Sequence, residues 1–226
     1  MTEKGRKKIG LALGGGAARG LAHIGVLQVF KERGLPVDCV AGCSMGAVIG
    51  GIYCAGEDIY ELQSTALSIS ERTFLDLGRP HKGVLRGKKT EEYIDTLCKG
   101  KTFEECVIPF CAAATDLVTS RTVPLTSGRL SHAIRASISI PGVFEPVDWE
   151  DMTLVDGGVT DRVPVDLCRD VLGAQYVIAV DVAFRGWKRL KPTNIIQTIY
   201  QSFETSDWCN VRNALPNSDI VIAPDV

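Results

Sequence analysis

Residues 37–55 read VDCVAGCSMGAVIGGIYCA: an apolar strand-like segment, a Gly-Cys-Ser-Met-Gly pentapeptide at 42–46, and a small, apolar helix-like segment. A G-x-S-x-G motif between a strand and a helix is typical of a nucleophile elbow. Gly42 and Gly46 allow a sharp turn, which lifts the serine hydroxyl clear of the sheet. The sequence therefore predicts Ser44 as a nucleophile, and the alternative is a glycine-rich tight turn with an inert serine.

A second glycine-rich stretch, Gly14-Gly15-Gly16-Ala17-Ala18-Arg19-Gly20, lies between a predicted strand and a predicted helix. Its backbone N–H groups lie near the positive end of that helix, so it suits either a phosphate or an oxyanion. The spacing matches neither a dinucleotide fingerprint nor a P-loop, because Arg19 replaces the last glycine and no Gly-Lys-Ser/Thr follows. With a nucleophile elbow on the next strand, an oxyanion hole is the better interpretation, and a plain strand-to-helix turn is the alternative.

A serine nucleophile needs a base, and the sequence offers only three histidines. The α/β-hydrolase order is serine, acid, histidine, and none of His23, His81 and His132 follows a convincing acid at a strand end. We therefore disfavour a histidine base, although His132 stays open as an alternative.

A carboxylate acting directly is the other solution, and Asp156 is the leading candidate. Leu154-Val155 leads into it and Gly157-Gly158 follows, so the chain can turn there and approach a neighbour closely. A desolvated aspartate beside the serine would have a raised pKa and could accept its proton. The alternative is an aspartate that caps its own turn, which is the role that we expect for Asp116 and Asp181.

Apolar runs of strand length alternate with helix-length periodic segments, which predicts an α/β fold with a mainly parallel central sheet. Ligands of such sheets bind beyond the carboxyl ends of the strands, where both glycine-rich stretches lie. We expect one domain, 9–226, after a basic extension at 1–8. The predicted strands are Ile9–Leu13, Val37–Ala41, Val107–Ala114, Arg121–Leu125, Thr153–Val155, Tyr176–Val182 and Asp219–Ala223, and the predicted helices are Ala18–Arg33, Ser44–Ala55, one from Asp58, Thr90–Leu97, Leu130–Ser137, Val163–Leu172 and Asn194–Trp208.

Composition excludes several classes of function. The 226 residues are 45% hydrophobic and 23% charged with a net charge of −2, which gives no signal for nucleic acid. The eight cysteines show no C-x-x-C spacing, which favours reduced, buried thiols over a metal site. No stretch reaches 18 apolar residues and the N-terminal apolar run is too short for a signal peptide, so we expect a cytoplasmic protein that touches a membrane at most peripherally.

Taken together, these motifs resemble the patatin-like phospholipases, and the bacterial members in particular. The resemblance rests on the loop Gly14–Gly20, the pentapeptide Gly42–Gly46 and Asp156-Gly157-Gly158, which define a core from 14 to 158. Two further stretches match the family, Ala114-Thr115-Asp116-Leu117 and 136–144 (ASISIPGVF). The order and spacing hold from about Ile9 to the end of the chain.

The resemblance implies a three-layer α/β/α fold and a lipid acyl hydrolase that needs no metal and no cofactor. Ser44 would be the nucleophile and Asp156 the general base of a dyad that works through an acyl-enzyme. The oxyanion hole would use the loop residues Gly14, Gly15, Gly16 and Ala17, and the supporting residues would be Arg19, Gly20, Gly42, Gly46, Gly157 and Gly158. The substrate would be a lipid or another acyl ester.

Three points stay open at this stage. The basic segment 79–89 could contact phosphate head groups, although a solvated loop is the simpler interpretation. Family members usually continue past the strand predicted at Asp219–Ala223, so the chain can be a truncated form. A histidine-assisted esterase or acyltransferase, and a non-catalytic regulatory module on the same fold, remain as alternative functions.

Overall fold

The computed structural model describes residues 5–68, 83–182, 191–195, 197–199, 201–202, 205–206, 211 and 215–226. Its strands are β1 (Ile9–Leu13), β2 (Cys39–Cys43), β3 (Gly83–Leu85), β4 (Phe110–Asp116), β5 (Arg121–Leu125), β6 (Gly142–Phe144), β7 (Val147–Trp149), β8 (Met152–Asp156), β9 (Tyr176–Val180) and β10 (Ile220–Ile222). Its α-helices are α1 (Ala22–Glu32), α2 (Met45–Cys54), α3 (Ile59–Ser68), α4 (Lys88–Leu97) and α5 (Leu130–Ser137).

The main sheet has the order β10-β9-β1-β2-β4-β8-β7, with β5 also paired to β4. The pairs from β10 to β4 are parallel, as the sequence predicts. The pairs β4–β5, β4–β8 and β7–β8 are antiparallel, so the sheet is mixed. Strands β3 and β6, which were not predicted from the sequence, form a separate two-stranded parallel sheet.

Both faces of the parallel half are covered, which gives the α/β fold its three layers. Side chains alternate along β1, so Leu11 and Leu13 join the larger core cluster while Ala12 faces the smaller one. Helices α1 to α5 contribute to the larger cluster. The smaller cluster packs small side chains of the sheet against a helical segment that contains the π-helix Leu167–Val171.

Several predicted bounds shift for local reasons. The helix predicted at Ala18–Arg33 is divided into a 3-10 helix, Ala17–Leu21, and α1. The i→i+3 bond from the Arg19 amide to the Gly16 carbonyl (3.1 Å) tightens this first turn. Strand β4 begins after Pro109, three residues later than predicted, and continues to Asp116. The helix predicted at Asn194–Trp208 is described only in part, at 194–195, 197–199, 201–202 and 205–206, and all of these residues except 194 are helical. Residues 79–82 of the basic segment 79–89 lie outside the described residues, whereas 83–89 are described.

Candidate active site

The candidate site forms where β2 and β8 meet on one edge of β4. Strand β2 runs parallel to β4 and its last residue, Cys43, pairs with Ala113. Strand β8 runs antiparallel to β4 and its last residue, Asp156, pairs with the next position, Ala114. Since β5 occupies the other edge of β4 over these positions, β2 and β8 approach each other end to end. Ser44, which follows Cys43, therefore lies beside Asp156.

Ser44 has the backbone geometry of a nucleophile elbow. Its φ of 51° and ψ of −122° lie in a region that non-glycine residues rarely adopt. The turn is stabilised by a hydrogen bond from the Ser44 amide, which donates to Ser137 Oγ at 3.0 Å. That hydroxyl in turn donates to the Ala113 carbonyl at 2.6 Å, which ties α5, the elbow and β4 together. In the sequence Ser137 belongs to the family-like stretch 136–144, and no role was predicted for it.

The serine hydroxyl and the aspartate carboxylate are in direct contact. Ser44 Oγ donates to Asp156 Oδ2 at 2.7 Å, within the range expected of a nucleophile and its base. The other carboxylate oxygen, Oδ1, accepts from the Gly158 amide at 2.8 Å. The amide of Asp156 itself donates to the Ser139 carbonyl at 3.0 Å. The carboxylate is thus held on both sides, with one oxygen facing the hydroxyl.

Burial raises the pKa of Asp156 to about 6. Desolvation is the main cause, because only 7% of the residue is exposed. Hydrogen bonds from Ser44 and Gly158, the positive charge of Arg162 and the Cys43 thiol act in the opposite direction. At neutral pH the carboxylate is therefore ionised, yet basic enough to accept a proton from a hydroxyl.

Two of the three histidines, His132 and His23, have partners away from Ser44. His132 Nδ1 lies 2.9 Å from Glu91 Oε1, and its ring stacks on Trp149 with the ring centroids 4.9 Å apart. His23 is fully buried, and desolvation lowers its pKa to about 4 against the opposing effects of the Gly14 carbonyl and Asp181. His81 lies outside the described residues. In the described part of the chain, the Ser44 hydroxyl thus has a carboxylate partner and no histidine partner.

The glycine loop corrects one detail of the predicted oxyanion hole. The amides of Gly14 and Gly15 donate to the Val180 carbonyl at 3.0 Å and to the Arg162 carbonyl at 2.9 Å. These two N–H groups already donate to backbone carbonyls and are therefore not available to an oxyanion. The next two amides, of Gly16 and Ala17, have no acceptor within the described ranges. The sequence could not reveal this division, since both partners come from distant segments.

The carbonyls of the same loop are held as well. His23 is neutral at physiological pH, so its Nε2–H donates to the Gly14 carbonyl at 2.7 Å. Arg162 Nε donates to the Gly15 carbonyl at 2.8 Å. Neither contact was predicted, and for Arg162 the sequence carries no signal of one. The loop is thus fixed from two directions, by α1 and by the segment after β8.

The predicted supporting residues lie around these contacts. Arg19 donates through Nε to the Val182 carbonyl at 3.2 Å. Gly20 packs against Met45, where an added Cβ would lie 2.4 Å from the Met45 side chain. Gly157 lies so close to β4 that an added Cβ would be 2.3 Å from the Ala113 carbonyl oxygen. These glycines therefore allow close approach between the loop, the elbow and the end of β8.

An apolar cavity of about 490 Å³ opens beside Ser44. Its walls come from the glycine loop, from α2, α3 and α4, and from the segment that follows α5. Ser44, Thr90 and Tyr93 are the polar residues of a lining that is otherwise made of aliphatic and aromatic side chains, among them Ala17, Val48, Ile52, Leu62, Ala66, Ile94, Leu97, Ile140 and Phe144. A cavity of this size and character suits the hydrocarbon part of a ligand.

Buried Arg135 contacts the segment around Phe144, a residue that lines this cavity. The residue is 2% exposed, and its guanidinium donates to the carbonyls of Arg86, Gly87 and Glu145 and to Ser139 Oγ. It also lies 4.9 Å from the centroid of the Phe144 ring. No role was predicted for Arg135 from the sequence. Among the described residues we find no group of three or more side chains able to hold a metal ion.

Other sequence predictions can be placed on the structure. Asp116 accepts from the amides of Val118 and Thr119, which confirms that it hydrogen-bonds its own loop. The seven described cysteines are free thiols, and all but the half-buried Cys106 are buried. Within the described ranges, none of the helices combines the length and the hydropathy needed to cross a bilayer.

The sequence of this chain is similar to those of known proteins. A family model described as patatin-like phospholipase matches residues 11–169. An uncharacterized NTE family protein of Mycobacterium tuberculosis is 39% identical over 182 residues, which cover 79% of this chain and 49% of that protein. A lysophospholipase of Cryptococcus neoformans is 34% identical over 182 residues, which cover 78% of this chain and 11% of that protein.

The fold is also found among solved structures. The crystal structure of VipD from Legionella pneumophila matches with a TM-score of 0.65 at 15% sequence identity, over 92% of this chain and 54% of that one. The chain therefore belongs to the patatin-like phospholipase family. It spans about half the length of the mycobacterial relatives that it matches.

Proposed function

We propose that the protein hydrolyses acyl esters of lipids with a Ser44–Asp156 dyad. The observation that carries this proposal is the 2.7 Å hydrogen bond from Ser44 Oγ to a buried carboxylate at the wall of an apolar cavity. The match to the patatin-like phospholipase family and the lysophospholipase name of one relative support the lipid ester as substrate. The cavity would hold the acyl chain and place its ester carbonyl at Ser44.

The proposed reaction proceeds in two halves. Asp156 accepts the proton of Ser44 as Oγ attacks the ester carbonyl carbon, and the carbonyl oxygen becomes an oxyanion that accepts from loop amides. The C–O bond to the alcohol then breaks, and protonated Asp156 returns the proton to the leaving oxygen. In the second half Asp156 deprotonates water, which attacks the acyl-enzyme and releases the fatty acid and free Ser44.

The oxyanion donors in this proposal are the amides of Gly16 and Ala17, since those of Gly14 and Gly15 are already used. The Met45 amide, at the N-terminus of α2, is a third candidate, because the residue after the nucleophile supplies a donor in other elbows. Ala17 and Met45 line the cavity together with Ser44, which supports their amides as donors to a carbonyl bound there.

A cytoplasmic location with peripheral membrane contact stays part of this proposal. Leu21 lines the cavity and is nevertheless 42% exposed, so it offers an apolar group at the cavity mouth. Such a group suits contact with a lipid surface from which an acyl chain enters the cavity.

The proposal is tested by labelling Ser44 with an uncharged fluorophosphonate across pH. We expect the labelling rate of the wild-type protein to rise with pH and to level off above about 6, because Asp156 must be ionised to accept the proton. Ser44→Ala should lose the label, whereas Ser68→Ala, which changes an exposed serine of α3, should keep it. A folded wild-type protein that neither labels nor hydrolyses esters would contradict the proposal and favour a regulatory module.

The cavity predicts an effect on chain-length preference. Ala66 on α3 lines the cavity, so Ala66→Phe should fill part of it. With p-nitrophenyl esters of increasing length, we expect kcat/KM for long acyl chains to fall at least tenfold relative to acetate, while acetate turnover changes little. Ser64→Phe, on an exposed position of the same helix, is the matched control and should keep the wild-type profile. Equal losses for all chain lengths would argue against an acyl site here.

A further inference from the structure

Arg162 makes two hydrogen bonds to a single residue of the glycine loop. Its Nε donates to the Gly15 carbonyl at 2.8 Å, and its own carbonyl accepts from the Gly15 amide at 2.9 Å. Arg162 is 5% exposed, and a Cβ added to Gly15 would lie 3.6 Å from its Cγ. Both polar groups of Gly15 are therefore fixed by one residue, 147 positions away in the chain.

Fixing the Gly15 carbonyl also fixes the next amide. A trans peptide is planar, so the C=O of Gly15 and the N–H of Gly16 point in opposite directions. The described residues contain no cis peptide bond. While Arg162 holds the carbonyl, the Gly16 N–H must point away from the guanidinium, and it cannot rotate without breaking a buried, charge-assisted hydrogen bond.

The Gly16 amide has no acceptor among the residues that the structure describes. Gly16 is nevertheless a buried residue, and buried backbone N–H groups without a partner are rare in folded proteins. The loop also lies directly against the nucleophile, since a Cβ added to Gly15 would be 3.3 Å from Ser44 Cβ. A free donor at this place is what an oxyanion formed at Ser44 requires.

The geometry points to Arg162 as a positioning residue that holds the Gly15–Gly16 peptide so that the Gly16 N–H stays directed at the oxyanion site. This inference rests on the proposed function, because it names what orients the oxyanion hole of that reaction. Arg162 does not touch the substrate in this role. It acts through the peptide plane, whereas His23 holds the preceding carbonyl, of Gly14.

Arg162 has a second effect that makes its role measurable. Its positive charge opposes the desolvation that raises the pKa of Asp156. The other groups that act on this carboxylate are the Ser44 hydroxyl, the Gly158 amide and the Cys43 thiol, all of which are neutral. Removing the guanidinium should therefore move the acid limb of the pH–rate profile to higher pH, which a purely structural role would not do.

The experiment compares Arg162→Met, Arg162→Gln and Arg162→Lys in hydrolysis of p-nitrophenyl butyrate. For the Met variant we expect kcat to fall about 10- to 100-fold with KM within twofold of wild type, because one oxyanion donor is misdirected. The acid limb should move upward in the Met and Gln variants and stay in place in the Lys variant, which keeps the charge. Arg169→Gln, at an arginine that bonds the Asn217 carbonyl and Asp219, is the control and should match wild type.

The experiment distinguishes failure of the Arg162 role from failure of the proposed function. A wild-type protein that does not turn over esters contradicts the proposed function itself. An active wild type with an Arg162→Met variant within threefold in kcat and an unmoved acid limb overturns the role of Arg162 alone. If the Met variant does not fold, as judged by circular dichroism, the polar Gln variant decides: wild-type kcat and an unmoved limb in that variant overturn the proposal.

Discussion

Asp156→Asn should lower kcat/KM for short-chain esters by about 10²- to 10⁴-fold, the range that a general base supplies. Asparagine has nearly the same shape and can still accept the Ser44 hydroxyl bond, but it cannot take up the proton. In the described residues Asp156 is the side chain that accepts from the Ser44 hydroxyl, at 2.7 Å, so under the proposed mechanism little activity should survive. Steady-state kinetics on p-nitrophenyl butyrate measures the loss, and a variant within threefold of wild type would contradict the dyad.

The same substitution should make the protein more stable at neutral pH. Burial raises the folded-state pKa of Asp156 to about 6 from an ordinary 3.8, so the ionised group opposes folding by up to about 3 kcal/mol. Because the folded pKa is raised, wild type gains stability below pH 3.8 and loses it as pH rises through 6. The advantage of Asp156→Asn should therefore appear above about pH 6 and vanish below about pH 4, as thermal unfolding would show.

Asp161→Asn is the matched control for this pair of effects. Burial and the nearby Asp166 also raise the pKa of Asp161 to about 6, but Asp161 makes no contact with Ser44. Its replacement should change stability in the same direction and leave ester turnover near wild type. Parallel losses of activity in both variants would mean that the charge, rather than proton transfer at Ser44, is what matters.

Gly46→Ala should abolish folding to an active protein. A Cβ at position 46 would lie 2.1 Å from the Leu13 carbonyl oxygen and 2.9 Å from that of Gly14, both of them backbone atoms that cannot move aside without shifting β1. Overpacking a core typically costs about 1–3 kcal/mol, and a backbone clash this close should exceed that range. We expect insoluble protein, or a soluble form that has lost most of its stability and its fluorophosphonate labelling.

Gly25→Ala is the matched control, because it makes the same glycine-to-alanine substitution at a position with free space. Gly25 lies within α1, and a Cβ there would meet nothing within 4 Å. Alanine should stabilise the helix by about 0.5–1 kcal/mol, so its melting temperature should rise. A Gly46→Ala protein that folds and labels normally would show that the elbow approaches β1 less closely than described.

Local signals in the sequence predict much of this fold. The bounds of β1, β5 and α5 coincide with their predicted ranges, because each is a short run delimited by turn residues and supported by its own periodicity. The direction of a strand, in contrast, leaves no local signal in the sequence. The alternation within Met152–Asp156 is the same whichever way the strand runs, so the antiparallel pairing of β8 with β4 could not be predicted.

The candidate site likewise contains residues that the sequence predicts and residues that it does not. Ser44, Asp156 and the glycine loop carry sequence patterns of their own, and the structure brings them together. Ser137, His23 and Arg162 make hydrogen bonds to backbone groups of Ser44, Gly14 and Gly15, which lie 93, 9 and 147 positions away in the chain. No motif encodes such bonds. Which loop amides remain available depends on such partners, so only the coordinates show that the Gly14 and Gly15 amides already donate to backbone carbonyls.

Because β2 and β8 meet end to end on β4, the contact between Ser44 and Asp156 depends on the register in which β8 pairs with β4. A slip of β8 by one residue against β4 would carry Asp156 about 3.3 Å along the strand and reverse the face of every side chain. Ser44 and Asp156 are 112 positions apart, so the pair also exists only after β8 has been synthesised and docked. If the proposed function holds, incomplete or misregistered chains should therefore be inactive, and ester hydrolysis would be confined to the folded protein.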